Sequence, residues 1–346
     1  MLMKYFFLVL FVQFFTSVIA QPTKPEEYGL KSYTINDKKL GDIHFYIDTT
    51  GITKKKPIFL DINGSGGFPL CIYVQGKGFE SLMNTFNASN LNETKEKYHY
   101  VILDKPSTPF CDTVKTTQSK KDFDAHSIVQ NYKPSDGYTQ KFSLSWRVDA
   151  TKTVLSYLIK NSFWDKTKIV GFGYSEGAQV VPALATSDKR ITHVIPVVGS
   201  GLNQLYDFII DFRIKARLGI ISERQAQDSI NKYTQQISEI YENPNDTERM
   251  FEGHTYKRWA SFGNSISYEL LRNLNLPIYV IAATRDNSSP IFGLDYIQLE
   301  FIRLGKKNLT YDVCVGCDHN LANVVNEKPV EHTDYFKKVL NWIDRN

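Results

Sequence analysis

Six short apolar runs recur along the chain, each closed by small or polar residues. They are "PIFLDI" (57–62), "YHYVILD" (98–104), "KIVGF" (168–172), "THVIPVVGSG" (192–201), "LPIYVIAAT" (276–284) and "LTYDVCVG" (309–316). Runs this continuous suit strands covered on both faces, as in a parallel sheet. Before them, residues 28–48 read as two strands joined at "NDKK". In "GDIHFYID", Ile43, Phe45 and Ile47 alternate with His44 and Tyr46, the period of a half-buried strand. Between the runs the period changes to that of a helix. Val148, Thr151, Val154, Leu155 and Leu158 predict a helix over 147–160, capped by Ser143 or Ser145. Tyr335, Phe336, Val339, Leu340 and Ile343 predict another over 332–344. Strands alternating with helices predict an α/β fold. Its mostly parallel sheet starts with an antiparallel hairpin and carries helices on both faces. Residues 203–275 break the alternation. They are mostly helical in pattern and polar around "SERQAQDSINKYTQQISEIYE", so a helical cap inserted between two strands is expected there.

The chain's 346 residues, 42% hydrophobic and 23% charged, are enough to bury a full core. The net charge of +4 and lysine clusters as short as 54–56 and 120–121 make nucleic acid a poor partner. The N-terminus changes the picture more. Lys4, the apolar "YFFLVLFVQFF" and the small-residue end of "TSVIA" read as a signal peptide over 1–20, cleaved near Ala20. The apolar part is short for a membrane span and is interrupted by Gln13, Thr16 and Ser17. The expectation is a secreted or periplasmic domain over 21–346, with no membrane association after cleavage. Export permits disulfides among Cys71, Cys111, Cys314 and Cys317. Cys314 and Cys317 form a CxxC, but no second CxxC or His pair completes a zinc site. The motif also ends a strand-like run instead of opening a helix, so structural cysteines, free or bonded, are expected.

The candidate chemistry centres on "GFGYSEGAQ". Gly173-x-Ser175-x-Gly177 follows a strand-like run and precedes a helix-like one, the setting of a nucleophile elbow. Such a turn is tight enough that the serine's neighbours must lack side chains. A serine nucleophile needs a base, and the base needs an orienter. Asp286 in "AATRDNSSP" and His319 in "GCDHN" each stand just past a later run, in the order Ser, Asp, His. Asp312, inside a run, is the second choice for the acid. Oxyanion donors are expected from the backbone N–H of Glu176, at the positive end of the helix, and from Ser65 or Gly66 in "NGSGG". Tyr174, beside the nucleophile, and Trp259, in the aromatic "HTYKRWASF" of the cap, are candidates for substrate binding. Trp259 is equally placed for cap packing. The Glu176 side chain either attracts a substrate amino group or complements the helix N-terminus.

Taken together, "NGSGG", "GFGYSEGA", "AATRDNSSP" and "GCDHN" resemble the four signature blocks of α/β-hydrolases, over about residues 28–346. They are similar to exported bacterial members related to the prolyl oligopeptidase and dienelactone hydrolase branch. The resemblance implies the α/β-hydrolase fold, Ser175 as nucleophile, Asp286 as acid and His319 as base. It implies no metal or organic cofactor, and a small-molecule ester or short peptide as substrate. In that fold the runs ahead of Cys71 and Cys111 are neighbours, which implies a Cys71–Cys111 disulfide across adjacent loops. The expected function is an exported serine hydrolase acting on an ester. A peptidase with the same triad is the alternative, and a non-catalytic binding protein on the same fold is the third.

Overall fold

A computed structural model describes residues 23–74, 79–82, 91–115, 132–325 and 332–346; the expected signal peptide lies outside these residues. In chain order the strands begin with β1 (Leu30–Asp37), β2 (Gly41–Asp48), β3 (Lys56–Ile62), β4 (Cys71–Val74), β5 (Phe79–Leu82), β6 (His99–Leu103) and β7 (Cys111–Val114). They continue with β8 (Trp164–Tyr174), β9 (His193–Val197), β10 (Met250–Phe251), β11 (His254–Thr255), β12 (Ile278–Ala283) and β13 (Leu309–Cys314). The helices begin with α1 (Asn92–Lys97), α2 (Asp136–Lys141), α3 (Leu144–Lys160), α4 (Gly177–Ser187) and α5 (Gln204–Arg217). They continue with α6 (Glu223–Glu242), α7 (Tyr256–Gly263), α8 (Ser267–Arg272), α9 (Phe292–Arg303) and α10 (His332–Arg345).

All six apolar runs are strands of one eight-stranded sheet, in the order β1-β2-β6-β3-β8-β9-β12-β13. The pairs β1–β2 and β2–β6 are antiparallel and the rest parallel. From β3 the chain moves outward to β6 and then returns across to β8. Because the winding reverses there, β3 and β8 are direct neighbours, with Ile62 opposite Gly173. In open α/β sheets a crevice at such a switch point, outside the carboxyl ends of the strands, is where ligands bind.

Helix α3 starts where Ser143 accepts a bond from the Trp146 N–H, and α3, α4 and α9 cover one face of the sheet. Helix α10 covers the other, with Phe336, Val339, Leu340 and Ile343 packed in the core that includes Phe59, Phe172 and Ile195. Between β9 and β12 the chain runs through α5, α6, the β10–β11 ribbon, α7 and α8. Much of this segment packs on a core of its own, built from Leu205, Ile240, Phe251, Tyr256, Trp259 and Ala260. No helix among the described residues is long and apolar enough to cross a membrane.

A small sheet, β5-β4-β7, was not expected; four-residue strands are too short to show a period. It brings Cys71 opposite Cys111 on parallel strands. A Cys71–Cys111 disulfide was expected; the disulfide that the structure records joins Cys314 and Cys317.

Candidate active site

The turn expected to be a nucleophile elbow is built by close backbone approach. A Cβ on Gly173 would fall 2.1 Å from the Gly177 carbonyl oxygen, and one on Gly177 would fall 1.9 Å from that of Ile62. Any larger residue would force β8, α4 and β3 apart. The turn holds Ser175 at φ +55°, a left-handed conformation that costs a non-glycine residue about 1–3 kcal/mol. The bond from Ser175 N–H to the Val197 carbonyl (2.9 Å) and α4's first turn hold it there.

From the carboxyl ends of β12 and β13 come the other two groups. His319 Nε2 lies 2.9 Å from Ser175 Oγ, and His319 Nδ1 lies 2.8 Å from Asp286 Oδ2. A carboxylate only accepts, so Nδ1–H donates to Asp286 and Nε2 is left to accept the serine proton. Asp286 is buried, and its other oxygen accepts the N–H groups of Ser288 and Ser289, each at 2.8 Å. The two loops are stitched together by Arg285 N–H to Cys317 O (2.8 Å) and by Gly316 N–H to Thr284 Oγ1 (2.8 Å). The Cys314–Cys317 bridge and Asp318, which accepts from the Asn320 and Ala322 N–H groups, shape the turn that carries His319. Asp312 lies elsewhere, bonded to Tyr279 and Lys338.

The loop after β3 is gripped from behind. Arg147 Nη1 donates to the Asn63 carbonyl at 2.9 Å and lies 3.5 Å from that of Gly64; its Nη2 donates to the Asn63 side chain at 2.8 Å. In a trans peptide the N–H points opposite the C=O. Anchoring these two carbonyls on Arg147 therefore turns the N–H groups of Gly64 and Ser65 away from it. Ser65 lines the same cavity as Ser175 and Glu176, the placement expected of an oxyanion donor. Gly66 does not line it. Its φ of +85° and its carbonyl, which accepts from Lys105 Nζ, make it the bend of the loop. Gly64 is the residue missed from sequence: a Cβ there would press to 3.2 Å from that of Ser175.

Glu176 settles into a different task from either considered. Its side chain is 1% exposed and sits between two guanidiniums, Arg147 (3.0 Å) and Arg258 of α7 (2.7 Å). Burial alone would push this carboxyl up, but Arg258 and Arg147 together hold it near about 2. Nearby, burial and the Arg147 charge push the Lys105 ammonium down to about 7. One carboxylate thus joins the elbow, the oxyanion loop and the cap. It is closed to a substrate amino group.

The cavity above Ser175, about 620 Å³, is walled by the cap and by the loop after Asp286. Trp259 touches it but belongs mainly to the cap core. Its ring packs on Phe208 and Phe251 at 5.5 and 5.8 Å, and its indole N–H donates to the Phe251 carbonyl. Tyr174 does not line the cavity; its hydroxyl donates to the His319 carbonyl at 2.5 Å, so it positions the base loop. Asp207 of α5 also faces the cavity, accepting from Ser200, and burial raises its carboxyl to about 7. Burial and then the Arg258 charge lower His254, another wall residue, to about 3, so it stays neutral. Among the described residues no group of three or more His, Cys, Asp and Glu is placed to hold a metal ion.

No protein-family model matches the chain, and no curated protein matches it. Solved structures do. An acylaminoacyl peptidase from Pyrococcus horikoshii aligns at a TM-score of 0.56 and 10% identity, over 91% of this chain and 41% of that one. A putative dipeptidyl aminopeptidase IV from Bacteroides ovatus aligns at 0.51 and 11% identity, over 94% of this chain and 36% of that one. The chain thus spans well under half the length of either. What it shares with them is the α/β-hydrolase fold.

Proposed function

We propose that the protein is an exported serine hydrolase that cleaves an ester through an acyl-enzyme. The observation that carries this is the hydrogen-bonded line Ser175–His319–Asp286, with Ser175 on a strained turn that lines a cavity. His319 takes the proton of Ser175 as Oγ attacks the acyl carbonyl. The N–H groups of Glu176 and Ser65 face the developing oxyanion. His319 then returns the proton to the leaving alkoxide. Water attacks the acyl-enzyme with His319 again as base, and Asp286 holds the imidazole tautomer and steadies the imidazolium throughout.

What favours an ester over a peptide with a free amino end is the state of the wall carboxyls. Glu176 is tied to two arginines, Asp211 pairs with Lys215 at 2.6 Å, Glu252 accepts from Tyr233, and buried Asp207 accepts from Ser200. The proposed secretion or periplasmic export rests on the leader over 1–20. Labelling by a fluorophosphonate that is lost in Ser175→Ala is the expected result, and labelling that persists would reject the nucleophile. Turnover of p-nitrophenyl acyl esters, but not of aminoacyl or Xaa-Pro nitroanilides, is expected. Activity confined to the anilides would replace the esterase by a peptidase.

A further inference from the structure

The cavity above Ser175 changes character along its length. Leu218 and Ile220, past the end of α5, line it on one side, and Gln204 and Asp207 line it from the start of the same helix. At the rise of an α-helix, Asp207 and Leu218 stand roughly 16 Å apart. Asn287 and Ser288, which follow directly on Asp286, also line the cavity. Burial and then the Asp286 charge raise the Asp207 carboxyl, so the start of α5 and this loop share one end of the cavity. That end is polar, and it is the end beside the Ser175–His319–Asp286 line.

The charged groups of the wall are already engaged. Arg258 holds Glu176, Lys215 holds Asp211, and Glu252 accepts from Tyr233. Its neutral polar groups are not. Among the described residues no hydrogen bond engages the side chains of Gln204, Asn287, Ser288 or His254, and Gln204 Oε1 is buried without a partner. Asp207 accepts from Ser200 through one oxygen, and its other oxygen has no partner among the described residues. Amide, hydroxyl, neutral imidazole and carboxylic acid each offer both a donor and an acceptor. Leaving such groups unpaired under a bound ligand is costly, so the ligand that suits this end brings partners for them.

We propose that this wall is a polyol subsite, and that the substrates are esters carrying an uncharged, polyhydroxylated group of the carbohydrate type. The proposal rests on the serine hydrolase function above and names its substrate class. Each hydroxyl of a polyol donates and accepts, as each free group of the wall does. A sugar ring also has an apolar C–H side, and Trp259 and Phe208 give the same cavity an aromatic surface. An alkyl chain laid here would cover Gln204, Asp207 and Asn287 without bonding them. A peptide presents N–H donors and C=O acceptors at the spacing of a strand, which a backbone edge matches better than scattered side chains.

The test uses the full chain and two matched pairs of esters, reading kcat/KM from the acid released. Methyl glucopyranoside acetylated on its primary hydroxyl is set against cyclohexylmethyl acetate, a ring that bears the same ester and no hydroxyls. Methyl gluconate is set against methyl hexanoate, which moves the hydroxyls to the acid side. In one pair the polyhydroxylated member is expected to be at least about tenfold better, because a site built to bond hydroxyls rejects the analogue that lacks them. That pair also tells whether the polyol leaves as the alcohol or stays on the acyl-enzyme. Gln204→Leu and Asn287→Leu, on two different elements of the wall, are each expected to cut the preference about fivefold. The preference is a ratio within one protein, so a variant that folds in part still reports it. A ratio near one in both pairs overturns the subsite while leaving the hydrolase intact, as does a preference that survives both substitutions. Faster turnover of an acetyl-dipeptide methyl ester than of either polyol ester reassigns the wall to a peptide and overturns the proposal. No turnover of any ester, together with no fluorophosphonate labelling of Ser175, overturns the hydrolase and the subsite together.

Discussion

The cap meets the catalytic sheet in two unlike ways. Helix α7 is fixed by charge: Arg258 reaches Glu176 beside the nucleophile, and its guanidinium lies 4.1 Å over the Trp259 ring and 4.6 Å over Phe262. Helix α5 faces the same cavity with half-buried apolar side chains and one carboxyl near neutrality, and its far side is open. A buried ion pair is costly to assemble but far costlier to break, since one partner's loss strands the other charge. Apolar contact is indifferent to register. On the proposed function, the contrast makes α7 the helix that sets the geometry at Ser175 and α5 the one that shapes the space above it.

Breaking the charged side is expected to have the largest effect. Glu176→Gln leaves Arg147 and Arg258 buried without a counter-charge and lowers stability by about 3–5 kcal/mol in denaturant unfolding. Next comes Arg147→Lys, which keeps the charge and loses the fork that holds the Asn63 and Gly64 carbonyls. It is expected to lower kcat for a short ester by about 10–100-fold with KM little changed, because the misplaced donor serves the transition state. An equal rise in KM would mean that Arg147 acts through binding.

On the α5 side the expected effects are smaller. Asp207, raised to about 7, keeps its proton in the folded state while the unfolded chain loses it near pH 4. Its contribution is present at low pH and is lost as pH rises from about 4 to 7. Asp207→Asn removes that decline, so thermal unfolding at pH 5 and pH 8 converges in the variant relative to the parent. Leu218→Ser, at a site 67% exposed, changes stability by about 0.5 kcal/mol or less. A larger loss there would show that α5 is covered in solution.

How much of this the sequence disclosed follows the range of the forces. Strands β3, β6, β8, β9, β12 and β13 were legible because each is apolar over a long enough run to show its burial. Ser175, Asp286 and His319 were legible because each follows such a run at the same edge of the sheet. The Arg147–Glu176–Arg258 contact was not, because its members are 29 and 82 residues apart and nothing local marks an arginine as buried. Tyr174 misled for the same reason, since adjacency to the elbow does not say which way a side chain turns, whereas Trp259 takes both places considered for it, at the cavity wall and in the cap core. Gly64 escaped notice because three glycines share "NGSGG" and only the approach of Ser175 distinguishes it.

The place where the cap leaves and rejoins the chain carries a further consequence. It departs after β9 and returns at β12, whereas the proposed triad follows β8, β12 and β13 and the proposed oxyanion loop follows β3. On the proposed function, replacing residues 203–275 would re-tailor substrate choice without touching a reacting atom. The condition on any graft is electrical: it must bring a positive charge to Glu176 where Arg258 now stands.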